Sequence, residues 1–112
     1  MRVCIPVRAD GQVDSSWGRA SRVAVADIQG GSLVAWEEFA VAWDRLHDET
    51  TEGGHHASVA SFVRDNDVET VAAMHMGGPM VQMLERMRIA VHLGVAGDAR
   101  EAMITIASED RV

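Results

Sequence analysis

The feature that most constrains the fold is an apolar-rich run that leads directly into the start of a helix. Residues 68–74 are followed at once by the sequence His-Met-Gly-Gly-Pro at 75–79. Proline is favoured in the first turn of a helix, so this segment predicts a strand, a tight turn and a helix. In open α/β folds, ligands bind outside the carboxyl ends of the strands. The chain is therefore predicted to be an α/β protein with a site at this turn.

The rest of the chain adds four strands and two helices. The first segment carries Val3, Ile5 and Val7 at a period of two, which is typical of a strand. Glycines at 30–31 predict a hairpin. The predicted strands are 2–8, 20–28, 33–41, 68–74 and 89–93. The predicted helices are 57–64, one that begins at Pro79 and one that begins at Asp98. Asp98 and Glu101 form a capping-box-like pattern at the start of the last helix. The predicted order is βββαβαβα, in a five-stranded mixed sheet, and residues 42–54 are predicted to be loop.

The predicted connections determine where the loops meet. Short connections make strand two antiparallel to both strand one and strand three, so strand three runs parallel to strand one. Helical crossovers make strands four and five parallel to strand one as well. The carboxyl ends of strands one, three, four and five then share one edge of the sheet. Residues 8–18, 53–56 and 75–79 therefore converge there, and we expect one site built from these three loops.

Length and composition exclude several classes of protein. A chain of 112 residues is predicted to be a single domain, residues 1–112. No apolar run approaches the roughly 20 residues that span a bilayer, and the first residues lack the shape of a signal peptide, so we expect a cytoplasmic protein with no membrane partner. The net charge of −7 disfavours nucleic acid as a partner. Cys4 is the only cysteine, which excludes an intrachain disulfide and a Cys-rich metal motif.

Two adjacent histidines lie where the first helix should begin. His55 and His56 follow the glycine pair at 53–54. The positive end of a helix dipole favours neutral imidazole, which is the form that binds a metal. The alternative is a pair of solvated polar residues near a helix start. His47 and His92 are interpreted as a surface residue and a strand residue.

The turn after strand four offers a third imidazole. His75 lies between Met74 and Met76, whose thioethers are soft metal ligands. The alternative is a histidine that hydrogen-bonds the turn while its neighbours pack in the core. Gly77 and Gly78 leave backbone N–H groups open at a helix start, which is an anion-binding arrangement, although the Lys and Ser/Thr of a P-loop are absent.

Three other features have competing interpretations. Met80, Met83 and Met87 have helical spacing, which favours core packing over a copper site. Cys4 is expected to be a buried, inert thiol. Trp17 either exposes its indole to a cofactor or partner, or folds back over the edge of the sheet.

Five short motifs cover nearly the whole chain: Val3-Cys4-Ile5-Pro6-Val7, Val13-Asp14-Ser15-Ser16-Trp17-Gly18-Arg19-Ala20, Gly53-Gly54, Met76-Gly77-Gly78-Pro79-Met80 and Val91-His92-Leu93-Gly94. In this order and spacing they resemble the dinitrogenase iron–molybdenum cofactor-biosynthesis family of NifX-like carriers.

The resemblance implies a ribonuclease-H-like α/β fold without nuclease activity. It also implies a protein that binds or carries an iron–sulfur or iron–molybdenum-type cluster, or its precursor, with cofactor-assembly proteins as partners. Nitrogenase-associated members have His-Phe-Gly where this chain has Ser16-Trp17-Gly18, and a serine is a poor ligand for a soft metal. Members of the family usually have a small residue at the position of His75, so His75 either marks a different ligand from theirs or fills the cleft. The predicted cofactor-binding residues are Ser16, Trp17, His55, His56, His75, Met76, Gly77 and Gly78, with His55, His56 and His75 as metal ligands.

The alternative function is a protein–protein interaction module that binds no metal. In that case Trp17, Trp36 and Trp43 would be the sensitive residues. An enzyme is not expected, because a nuclease of this fold needs a carboxylate in the first strand, and residues 2–8 contain none. We expect a monomer or a weak homo-oligomer paired through an edge strand.

Overall fold

The computed structural model describes residues 1–45 and 52–109, which form a five-stranded mixed sheet with helices on both faces. The elements are β1 (Arg2–Pro6), β2 (Arg22–Gln29), β3 (Ser32–Ala40), α1 (Glu52–Asp65), β4 (Thr70–Ala72), α2 (Gly78–Arg86), β5 (Ala90–His92) and α3 (Ala99–Glu109). The predicted order of strands and helices is confirmed.

The strand order across the sheet is β3-β2-β1-β4-β5. β1 pairs antiparallel with β2 and parallel with β4, and β4 pairs parallel with β5. β2 and β3 form the expected antiparallel hairpin. The predicted topology is therefore confirmed, and the carboxyl ends of β1, β4 and β5 lie at the same edge.

Alternate residues of β1 point into two separate cores. Cys4 belongs to a cluster that contains Val59 of α1 and Leu84 of α2. Val3 and Ile5 belong to a second cluster, which lies under α3. This alternation follows from the period-two geometry of a strand, and the burial of both sets of residues shows that both faces of β1, the central strand, are covered.

The methionine stripe of α2 packs as predicted. Met80 is 4% exposed and Leu84 is fully buried. Met83 and Met87 are partly buried against the same cluster. The stripe is therefore part of the core.

The predicted loop at residues 42–54 is wrong where the structure describes it. Residues 43–45 are helical, and α1 begins at Glu52 rather than at residue 57. The glycine pair at 53–54 has low helix propensity, so the sequence pattern places the helix start too late. His47 lies outside the described residues.

None of the described helices is long and apolar enough to cross a membrane.

Candidate functional site

A cleft of about 460 Å³ opens at the carboxyl edge of the sheet, between the loop after β1 and the turn after β4. We call it the basic cleft. It is lined by Ser16, Gly18, Arg19, Met74, His75, Met76, Gly77 and Leu93. Its volume lies within the range of roughly 300–1,000 Å³ that is usual for small-ligand sites.

Backbone contacts join the two walls of this cleft. Ser16 and His75 form an isolated parallel β-bridge. The Trp17 N–H donates to the His75 carbonyl oxygen at 3.4 Å. The loop after β1 and the turn after β4 therefore meet, as the predicted topology requires.

Trp17 anchors the loop after β1 in the hydrophobic core. Trp17 is fully buried, and its ring lies 4.9 Å from that of Trp43 in an edge-to-face arrangement. Trp43 in turn contacts Phe62 of α1 with ring centroids 5.7 Å apart. The alternative of an exposed indole at Trp17 is therefore wrong, because this ring belongs to the core. Its Nε1 has no hydrogen-bond partner among the described residues.

The third predicted loop, residues 53–56, contacts the lining of the basic cleft but is not part of that lining. His55 is 4% exposed, and its Nε2 lies 2.7 Å from the Gly18 carbonyl oxygen. The His56 ring is 5.8 Å from that of His55, measured between centroids, and His56 is half-buried. Neither imidazole lines the basic cleft, whereas His75 does and is exposed.

The predicted set of three histidine ligands is not assembled as a ready-made metal site. Within residues 1–45 and 52–109, no group of three or more His, Cys, Asp or Glu side chains could hold a metal ion. The physical reason is that His55 turns inward to the Gly18 carbonyl while His75 faces the opening. Whether these histidines bind a cluster stays a prediction.

The charge of the basic cleft differs from that of the whole chain. The chain carries a net charge of −7, yet the described lining includes Arg19 and His75 and no carboxylate. The thioether-bearing residues Met74 and Met76 complete the lining on the β4 side. The two walls together therefore combine a guanidinium, an imidazole and two methionines, of which Met76 also packs against the core cluster that contains Cys4.

The start of α2 is open toward the cleft. Gly77 is the N-cap residue, no side chain caps the helix, and its first turn contains no acidic residue. A Cβ atom added at Gly77 or Gly78 would meet nothing within 4 Å. Gly77 has an ordinary φ of −66°, so its backbone conformation does not require glycine. The absence of a side chain leaves the first-turn N–H groups accessible.

A second cleft of about 470 Å³ lies between the loop after β5 and α3. We call it the acidic cleft. It is lined by His92, Leu93, Gly94, Val95, Ala96, Gly97, Asp98, Glu101, Ala102, Thr105 and Ile106. Leu93, which is 50% exposed, borders both clefts. The Glu101 N–H donates to Asp98 Oδ1 at 3.0 Å, which confirms the predicted cap.

Four residues that line the basic cleft are absent from the predicted set of binding residues: Gly18, Arg19, Met74 and Leu93. For Gly18 and Arg19, the available signal was their position at the end of the loop that opposes the Gly-Gly turn. Cys4 lies elsewhere, in the core, where burial raises the pKa of its thiol and keeps it protonated at neutral pH.

Comparison with known proteins places the chain in a recognised group. The family model described as "Dinitrogenase iron-molybdenum cofactor" matches residues 1–109. A search of curated proteins finds no match.

Three solved structures share the fold. The crystal structure of PH0822 has 24% identity and a TM-score of 0.76, over 94% of this chain and 89% of that one. A candidate dinitrogenase from Methanocaldococcus jannaschii has 13% identity and a TM-score of 0.69, over 98% and 89%. A candidate NifB protein from Thermotoga, assigned to the DUF35 family, has 23% identity and a TM-score of 0.65, over 96% and 87%. At these identities the likeness concerns the fold.

Proposed function

This chain belongs to the dinitrogenase iron–molybdenum cofactor family, and we propose that it is a non-enzymatic carrier of a metal cluster or a metal-cofactor precursor. The cargo is of the iron–sulfur or iron–molybdenum type, and it binds in the basic cleft. Cofactor-assembly proteins deliver it and receive it.

The observation that carries this proposal is the composition of the basic cleft. Sulfide-bridged metal clusters are anionic and present soft sulfur and metal atoms. Arg19 supplies positive charge, and His75 supplies an exposed imidazole beside two methionines. The described lining contains one guanidinium and no carboxylate on a protein of net charge −7, which supports an anionic ligand at this place.

Each wall has a distinct part in holding the cargo. The turn after β4 offers the His75 imidazole as a ligand and the Met76 thioether as a soft contact. The start of α2 offers N–H groups at Gly77 and Gly78 to sulfide or oxide at the edge of the cluster. The loop after β1 offers the Ser16 hydroxyl and the Arg19 guanidinium. Such one-sided binding in an open cleft suits a carrier, because the cargo must leave again.

Anaerobic titration with tetrathiomolybdate tests the proposal, because this molybdenum–sulfur anion absorbs strongly in the visible region. We expect the protein to bind one equivalent, and His75→Ala to weaken binding by about tenfold, as for the loss of one charge-assisted contact. His92→Ala is the matched control, since it removes an imidazole from the end of the neighbouring strand and lines only the acidic cleft. Failure of the unaltered protein to bind, or equal binding by His75→Ala, would refute the proposal.

The alternative, a protein-docking module without metal, is favoured by one feature. Leu93 is a large apolar residue, 50% exposed, on the ridge between the two clefts. Of the three tryptophans that this alternative singled out, Trp17 and Trp43 are buried, whereas Trp36 on β3 is half-buried and lies under the Arg100 guanidinium. Metal analysis of protein purified under anaerobic conditions separates the two functions: a stoichiometric metal content supports the carrier, and metal-free protein that binds a partner through Leu93 supports the docking module.

A further inference from the structure

His55 connects α1 to the wall of the basic cleft by a short hydrogen bond. Its Nε2 lies 2.7 Å from the carbonyl oxygen of Gly18, which lines the cleft. The ring is 4% exposed and lies in the first part of α1, a different element from either wall. An imidazole that is almost completely buried and hydrogen-bonded to a backbone carbonyl oxygen has a more specific role than a solvated residue near a helix start.

The chemistry of this contact determines the state of the ring. A carbonyl oxygen only accepts hydrogen bonds, so the Nε2 atom of His55 must carry the proton and donate it. A nitrogen that donates a proton has no lone pair for a metal. The Nε2 atom of His55 is therefore not a metal ligand while this bond is made.

We infer that His55 is a positioning residue, which clamps the Gly18 carbonyl and so fixes the wall that presents Ser16 and Arg19 to the cargo. This inference rests on the proposed function of the basic cleft. It assigns His55 a role through Gly18 in place of the predicted role as a metal ligand.

The surroundings of Gly18 explain why one hydrogen bond has this effect. A Cβ atom at Gly18 would lie 3.5 Å from the Cε1 atom of His55, so the imidazole rests against the backbone of this residue. On one side of Gly18, the ring of Trp17 is held in the core. On the other side, the Ala20 N–H donates to the Trp17 carbonyl oxygen at 3.2 Å. Gly18 and Arg19 are thus the central residues of a tight turn from Trp17 to Ala20. The orientation of the Gly18–Arg19 peptide group determines where the Arg19 side chain lies.

Losing the donor would release this turn. Without Nε2–H, the partly buried Gly18 carbonyl must rotate toward water to recover a hydrogen bond. That rotation turns the Gly18–Arg19 peptide group and displaces Arg19 relative to His75, while the β-bridge still holds Ser16 beside His75. Binding of the cargo then weakens, although every residue of the lining is still present.

A pair of variants separates a clamp from a ligand. His55→Gln keeps an N–H donor at a similar reach but removes the imidazole, and His55→Leu keeps apolar volume but removes the donor. We expect the dissociation constant for tetrathiomolybdate to rise about fivefold in His55→Leu, the usual effect of one neutral hydrogen bond, and to stay within about twofold in His55→Gln. Hydrogen exchange at the Trp17 and Ala20 amides should accelerate in His55→Leu and stay unchanged in His55→Gln.

Two outcomes would overturn the inference. One is a loss of affinity in His55→Gln as large as that in His75→Ala, with unchanged amide exchange, because His55 would then contact the cargo itself. The other is unchanged amide exchange in His55→Leu, because the turn would then not depend on the bond. The exchange measurement needs no cargo, so it tests the clamp even where the unaltered protein fails to bind tetrathiomolybdate and the proposed function fails.

Nitrogen-15 spectra of the unaltered protein provide a third measurement, which does not depend on whether a variant folds. We expect the Nε2 resonance of His55 to be that of a protonated, hydrogen-bonded nitrogen. A His55 ring protonated at Nδ1 alone would overturn the inference.

Discussion

The two clefts at the carboxyl edge of the sheet are nearly equal in size and opposite in charge. They hold about 460 and 470 Å³ and share Leu93 as a common border. The lining of one includes Arg19 and His75, and that of the other includes Asp98 and Glu101. The fold therefore creates two clefts of similar volume at this edge, each lined by one histidine, and the charged side chains of their linings distinguish them.

The glycines of the two clefts differ in whether their backbone conformation requires glycine. Gly94 and Gly97 of the acidic cleft have φ values of +76° and +88°, so the loop after β5 requires them for its backbone conformation. Gly77 of the basic cleft has a φ of −66° and open space where its side chain would lie. The backbone conformation therefore requires the glycines of the acidic cleft, whereas it does not require glycine at position 77, where the proposed ligand would approach the backbone.

Reversing the charge of the basic cleft should have the largest effect. In Arg19→Glu, the loss of a charged contact and the new repulsion should raise the dissociation constant for tetrathiomolybdate by about a hundredfold. Arg64→Glu is the matched control, because it changes the net charge equally from an exposed site near the end of α1, roughly 13 Å along the helix from His55. Equal weakening in both variants, measured by anaerobic titration, would mean that only the overall charge matters and that the clefts are not distinguished.

The glycine contrast predicts two opposite results for the same substitution. Gly94→Ala should lower the free energy of unfolding by about 1–2 kcal/mol, because alanine is strained at positive φ. Gly77→Ala should leave that free energy nearly unchanged, since its added methyl group enters open space. Gly77→Ala should instead weaken tetrathiomolybdate binding by a few-fold. Urea denaturation and titration of both variants check this, and a Gly77→Ala protein that loses stability while binding normally would assign Gly77 to the fold.

Much of this arrangement could be predicted from the sequence, because it depends on local patterns. The strand, turn and helix around His75 follow from an apolar run and a Gly-Gly-Pro start, and the meeting of the loops follows from the topology. The direction of the His55 ring could not be predicted, since two histidines after two glycines look the same whether they face water or the Gly18 carbonyl. Trp17 is similar: its burial depends on Trp43, which is distant in sequence.

The acidic residues provide the last and smallest test of the contrast between the clefts. Asp98 Oδ1 accepts the Glu101 N–H at 3.0 Å at the start of α3, so Asp98→Ala should lower the free energy of unfolding by about 1 kcal/mol. Asp98→Asn should retain most of that stability, because asparagine caps a helix about as well without a charge. Neither variant should change tetrathiomolybdate affinity by more than about twofold, since long-range effects of an exposed charge are screened by salt. If Asp98→Asn tightened binding as strongly as Arg19→Glu weakened it, the anion would occupy both clefts, and the shared border at Leu93 would be the centre of a single larger site.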